Sequence, residues 1–60
     1  MKPSRTKMMR ELEAAGWRRW QSRPKEPTYW IDPLGLILEK ERTEMAYAIL
    51  EKRRANGIGR

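Results

Sequence analysis

Neither cysteine nor histidine occurs among the 60 residues of this chain, and that double absence limits its folding more than any motif does. A domain of this size buries only about 60% of the surface its unfolded chain exposes, and one core rarely supplies more than ~3–5 kcal/mol. The two commonest staples, a disulfide framework and a zinc site, need the missing side chains. Apolar packing remains, with self-association as a homodimer one way to extend it. Trp17, Trp20, Trp30, Tyr29 and Tyr47 offer large areas from few residues, so the expectation is one small core built around indole rings.

Charge is the second constraint. The formal net charge is +6, and it is unevenly distributed. Lys2, Arg5, Lys7 and Arg10 open the chain with no acid among them; Arg18, Arg19, Arg23 and Lys25 form a second group; Lys52, Arg53, Arg54 and Arg60 form a third. Between the last two groups lie Glu26, Asp32, Glu39, Glu41, Glu44 and Glu51, against only Lys40 and Arg42. Basic ends around an acidic middle suit a polyanionic partner. Nine of the fourteen cations are arginine, whose planar fork fits phosphate oxygens and guanine edges. A solvated surface tuned for solubility is the plainer alternative.

Along the chain, Ser4 or Thr6 can cap a helix on which Met8, Met9, Leu12 and Ala15 share a face until Gly16 ends it. Glu11 and Glu13 are expected on the opposite face. Trp17-Arg18-Arg19-Trp20-Gln21-Ser22 mixes aromatic and basic residues; in a strand Trp20 shares a face with Arg18, and Trp17 with Arg19. Arg23-Pro24-Lys25-Glu26-Pro27 reads as a loop, and Thr28-Tyr29-Trp30-Ile31 carries the strongest strand signal. Trp17 and either Tyr29 or Ile31 are expected to point inward, with at most one indole exposed and the hairpin arginines outward.

Asp32-Pro33-Leu34-Gly35 works as a turn or as a helix start. As a turn it leads to a third strand at Leu36-Ile37-Leu38-Glu39 and a helix capped by Thr43 that runs through Met45, Ala46, Ile49 and Leu50 to Asn56-Gly57. As a cap it starts one helix from Pro33 to Ala55. The turn is favoured, because Gly35 weakens a first helical turn and a lone two-stranded hairpin is marginal. Glu44 near the start of the last helix and Lys52, Arg53 and Arg54 near its end complement the macrodipole. The expected fold is α+β: an N-terminal helix, a small antiparallel sheet of two or three strands and a C-terminal helix, αβββα. Residues 1–60 read as one basic domain, frayed over residues 58–60.

Little in the sequence supports catalysis. There is no histidine to serve as base for Ser4 or Ser22; the isolated glycines form no phosphate-cradling loop; and Asp32, Glu39, Glu41 and Glu44 lack metal-loop spacing. A non-enzymatic module without cofactor or metal is expected. No apolar run approaches the ~18 residues of a membrane helix, and Met1-Lys2-Pro3-Ser4 leads into no signal-peptide core, so a cytoplasmic protein without a membrane partner is expected.

The order Leu12-Glu13-Ala14-Ala15-Gly16-Trp17, a hairpin, Asp32-Pro33-Leu34-Gly35 and a helix bearing Ile49-Leu50 resembles that of HicA-type toxins and related αβββα domains similar to double-stranded-RNA-binding folds. HicA-type enzymes use a histidine on the hairpin; with none here, the resemblance implies the fold and not RNA cleavage. Gly16-Trp17-Arg18-Arg19, Tyr29-Trp30-Ile31-Asp32-Pro33-Leu34-Gly35 and the helix from Ala46 to Leu50 are similar to three-stranded-sheet DNA binders, the arm-binding domains of lambda-type integrases and methyl-CpG-binding domains. Those families insert the sheet into the major groove, which implies Arg18, Arg19 and Arg23 near DNA; the turn here is one residue shorter than their usual Asp-Pro-x-x-Gly. The compact basic chain also looks like small phage-encoded proteins.

The function expected from these readings is binding of duplex DNA or structured RNA, chiefly through phosphates, by Arg18, Arg19, Trp20, Arg23, Lys25, Arg53 and Arg54. The alternative is a small phage-type inhibitor that binds a host protein through the acidic segment from Glu39 to Glu44 or the aromatic strand.

Overall fold

The computed structural model describes residues 3–20 and 27–57. The chain runs α1 (Arg5–Ala14), β1 (Arg18–Trp20), β2 (Tyr29–Ile31), β3 (Glu41–Arg42) and α2 (Thr43–Asn56), with the strands in one antiparallel sheet of order β1-β2-β3. This is the α+β, αβββα arrangement that the sequence leads one to expect.

Ser4 is the N-cap of α1, its hydroxyl accepting the Lys7 N–H at 3.2 Å, which satisfies one of the donors a helix start leaves orphaned. The other end is a Schellman turn: the Trp17 N–H donates to the Leu12 carbonyl at 2.9 Å and the Gly16 N–H to that of Glu13 at 3.1 Å. Gly16 adopts φ 96° to allow this. Such a turn brings the residue after the glycine back onto the helix's last turn, and here both Trp17 and Leu12 belong to the buried core.

Register decides which side chains that core receives. Arg19 stands opposite Trp30, and Trp30 opposite Glu41; directly opposed residues share a sheet face, so these three lie on the side covered by the helices. Arg18 opposite Ile31, Trp20 opposite Tyr29, and Tyr29 opposite Arg42 lie on the other. Trp30 is fully buried, and its indole N–H donates to the Thr43 hydroxyl at 2.8 Å. The inward residue of β2 is therefore Trp30, one position out of phase with the expected Tyr29 or Ile31, because only Trp30 combines the area to fill the space with a partner for its polar atom. Trp17 is buried and Trp20 exposed, as expected. Ala46 and Leu50 from α2 complete the core, with Met9, Ala15, Tyr47 and Ile49 packed around it; Met45 is exposed instead.

Asp32-Pro33-Leu34-Gly35 is a turn, closed by the Gly35 N–H donating to the Asp32 carbonyl at 3.3 Å. The long helix from Pro33 is thus excluded, yet Leu36 to Glu39 is no strand either. The Asp32 carboxylate accepts the N–H groups of Leu34, Leu36 and Ile37 at 2.9, 3.0 and 2.9 Å, and donors used in this way are unavailable to a ladder. Pairing with β2 falls instead to Glu41 and Arg42. Thr43 is the first residue of α2 rather than its cap; that position belongs to Arg42. Gly57, at φ 72°, closes α2 as the expected C-terminal glycine. Arg23, Lys25 and residues 58–60 lie outside the described residues.

Candidate nucleic-acid interface

With both helices packed on the inner side, the outer side of the sheet is left as an open platform. Alternation along β1 sends Arg18 and Trp20 to it. The antiparallel register adds Tyr29 and Ile31 from β2 and Arg42 from β3. Trp20 is 44% exposed, and Arg18, Ile31 and Arg42 are exposed as well. Lys40, at the entry to β3, brings its ammonium over the rings of Tyr29 and Trp20, 5.2 and 5.7 Å from their centroids. That is within reach of the attraction between a cation and the negative face of an aromatic ring.

Two clefts adjoin this platform. One, of about 550 Å³, is lined by Trp20, Ile31, Leu38, Glu39 and Lys40. The other, of about 400 Å³, has Arg5 and Arg42 among its walls, with Thr28, Thr43 and Glu44. Cations from the approach to β3 and from β3 itself thus continue the surface that Arg18 and Trp20 begin. The turn and the loop after it expose Leu34, Leu36 and Leu38, the last 95% accessible and lining the first cleft.

The residues singled out in the sequence divide among different environments. Arg18 and Trp20 share the platform, and no carboxylate among the described residues is paired with Arg18. Arg19, one residue on, points to the inner side: its guanidinium lies 5.5 Å from the Trp30 ring centroid and donates to the Glu13 carboxylate at 2.8 Å. Arg19 is exposed, as expected of the hairpin arginines, and lies on the face opposite to Arg18, as strand alternation leads one to expect; its carboxylate partner is what sets it apart.

The placing of Arg53 at a binding surface is corrected. It is buried, stacks 5.6 Å from the Trp17 ring centroid and donates to both carboxylate oxygens of Asp32 at 2.6 and 2.7 Å. That hydrogen-bonded pair holds the Asp32 carboxyl far below the usual carboxylate range against the opposing effect of burial, and raises Arg53. Arg53 is consequently structural, clamping the Asp32 loop to α2.

Arg54 remains at the surface, where its guanidinium donates to Glu11 at 2.6 Å and to Glu51 at 3.1 Å. Glu11 therefore faces α2 rather than the solvent side expected for it, and it also accepts from the Tyr47 hydroxyl at 3.4 Å. The bond from Arg54 lowers the Glu11 pKa, while burial, aided by the Glu11 charge, raises that of Tyr47.

Sequence reading passed over Lys40 and Arg42. Their signal is the same alternation that assigns Arg18 and Trp20, but it becomes visible only once β3 is known to begin at Glu41. Among the described residues no cluster of three or more acidic side chains is arranged to hold a metal ion, and no helix is long and apolar enough to cross a membrane. Comparison with protein-family models, curated proteins and solved structures finds no match for the chain.

Proposed function

We propose that the protein is a non-enzymatic nucleic-acid-binding module that uses the outer face of its sheet, with Arg18, Lys40 and Arg42 on phosphates and Trp20 on a base. The observation that carries this reading is the exposed Trp20 indole beside Arg18 and under Lys40, on a face the helices leave open. Arginine and lysine supply the sequence-independent attraction to a polyanion, and an accessible indole supplies a stacking surface. The net charge of +6 favours approach to such a partner.

Binding to DNA or RNA is expected to weaken as salt rises, because each neutralised phosphate releases counterions. The variant carrying Arg18→Ala and Arg42→Ala is expected to bind more weakly and with a log K against log salt slope shallower by roughly one per arginine removed. Binding that does not change with salt, or a slope unaltered in the variant, contradicts the proposal.

A second reading is favoured by the exposure of Leu34, Leu36 and Leu38: large apolar side chains left in solvent suit a protein partner. The same arginine variant separates the two, since it leaves the leucine loop untouched. Under the second reading it keeps its partner, whereas Leu36→Ser with Leu38→Ser loses it.

A further inference from the structure

Resting on the nucleic-acid reading above, we infer that the cleft between Trp20, Ile31, Leu38, Glu39 and Lys40 receives one unpaired base, so that the module prefers single-stranded or looped segments to continuous duplex. The cleft holds about 550 Å³, within the range of small-ligand sites. Its walls have the composition a base requires. Trp20 offers a ring face, Ile31 and Leu38 offer apolar contact, and Glu39 and Lys40 stand at the polar side.

Trp20 is not needed by the core, which is closed by Leu12, Trp17, Trp30, Ala46 and Leu50. Its ring is 44% exposed, and among the described residues the group found over it is the Lys40 ammonium. In a duplex both faces of every internal base are covered by its neighbours, so an indole can stack only on a base that has left the helix or never entered one. Charge complementarity selects the strand as the occupant: the Lys40 ammonium lies over Trp20 and Tyr29, and Arg18 and Arg42 flank the same rings. A phosphate next to the stacked base can draw Lys40 off the ring and uncover it.

The test uses the full chain and its Trp20→Ala and Trp20→Phe variants. Each is titrated at one salt concentration with an end-labelled oligodeoxyuridylate, with that strand annealed to its complement, and with an oligouridylate of the same length; the two single strands differ in the sugar alone, so tighter binding of one identifies its sugar. Anisotropy gives affinity. Tryptophan quenching reports Trp20, because Trp17 and Trp30 are shielded.

Single strands are expected to bind more tightly than the duplex despite its denser charge, and to quench. Trp20→Ala is expected to lose roughly 5- to 150-fold on single strands, the equivalent of one stacked base, and to lose distinctly less on duplex, whose bases are already stacked. Trp20→Phe is expected to keep most of the single-strand affinity. Duplex bound as tightly as single strand, or an equal loss on both in Trp20→Ala, overturns the inference and leaves the phosphate-binding reading standing. Absence of salt-dependent binding to every probe overturns both.

Discussion

The Asp32 carboxylate accepts five hydrogen bonds, from the backbone of Leu34, Leu36 and Ile37 and from both terminal nitrogens of Arg53. Its side chain is fully enclosed. Removing one member of a buried pair strands the other's charge, at a cost of ~3–5 kcal/mol, comparable to all the stability a domain of this size is expected to have. Asp32→Asn is therefore expected to be largely unfolded at 25 °C, measured by far-ultraviolet circular dichroism and urea melts. Because folding depresses the Asp32 pKa, the contribution is fully present above the unfolded value of 3.8 and is lost as pH falls below it toward the folded value. Wild-type urea midpoints are thus expected to fall between neutral pH and about pH 2; midpoints unaffected over that range contradict the account. Asp32 was legible in the sequence as a turn residue, whereas its partner was not. No spacing rule links it to Arg53, twenty-one positions away, and a cation at the end of a helix reads first as a solvent-facing complement to the macrodipole.

Among the elements, those defined by local chemistry were the ones readable in advance. Ser4 before Arg5, Gly16 after Ala15 and Gly57 after Asn56 bound the two helices because capping depends on neighbouring residues alone. The strands were half readable. Aromatic and β-branched residues mark β2, but the apolar run Leu36-Ile37-Leu38 drew the third strand to the wrong place. Side-chain bonds from Asp32 occupy its backbone, and pairing passes to Glu41-Arg42, two polar residues that no propensity favours. The Gly16 turn is the joint between α1 and the sheet. At φ 96° an alanine is strained whatever the space around it, and here its Cβ would only touch Pro33 at 3.5 Å. Gly16→Ala is expected to lose about 1–2 kcal/mol, read as a lower urea midpoint with unchanged slope; a midpoint equal to wild type would show that the joint tolerates another geometry.

For the whole molecule, sequence reading anticipated the fold class and an indole-centred core but only part of the candidate surface. Arg18 and Trp20 lie together as anticipated. Arg19, Arg53 and Arg54 have carboxylate partners, since in a short chain of many charges the acids claim whichever cations the fold brings near. The positive platform is completed by Lys40 and Arg42, which only the strand register discloses. The proposed function requires this one face to meet nucleic acid. The most direct measurement is a nitrogen–proton correlation spectrum of the protein titrated with a single-stranded oligonucleotide. The Trp20 indole signal and the amides of Arg18, Ile31, Lys40 and Arg42 are expected to shift, with the Trp17 and Trp30 indoles stationary. Shifts concentrated along α1 and α2, with Trp20 unmoved, would contradict it.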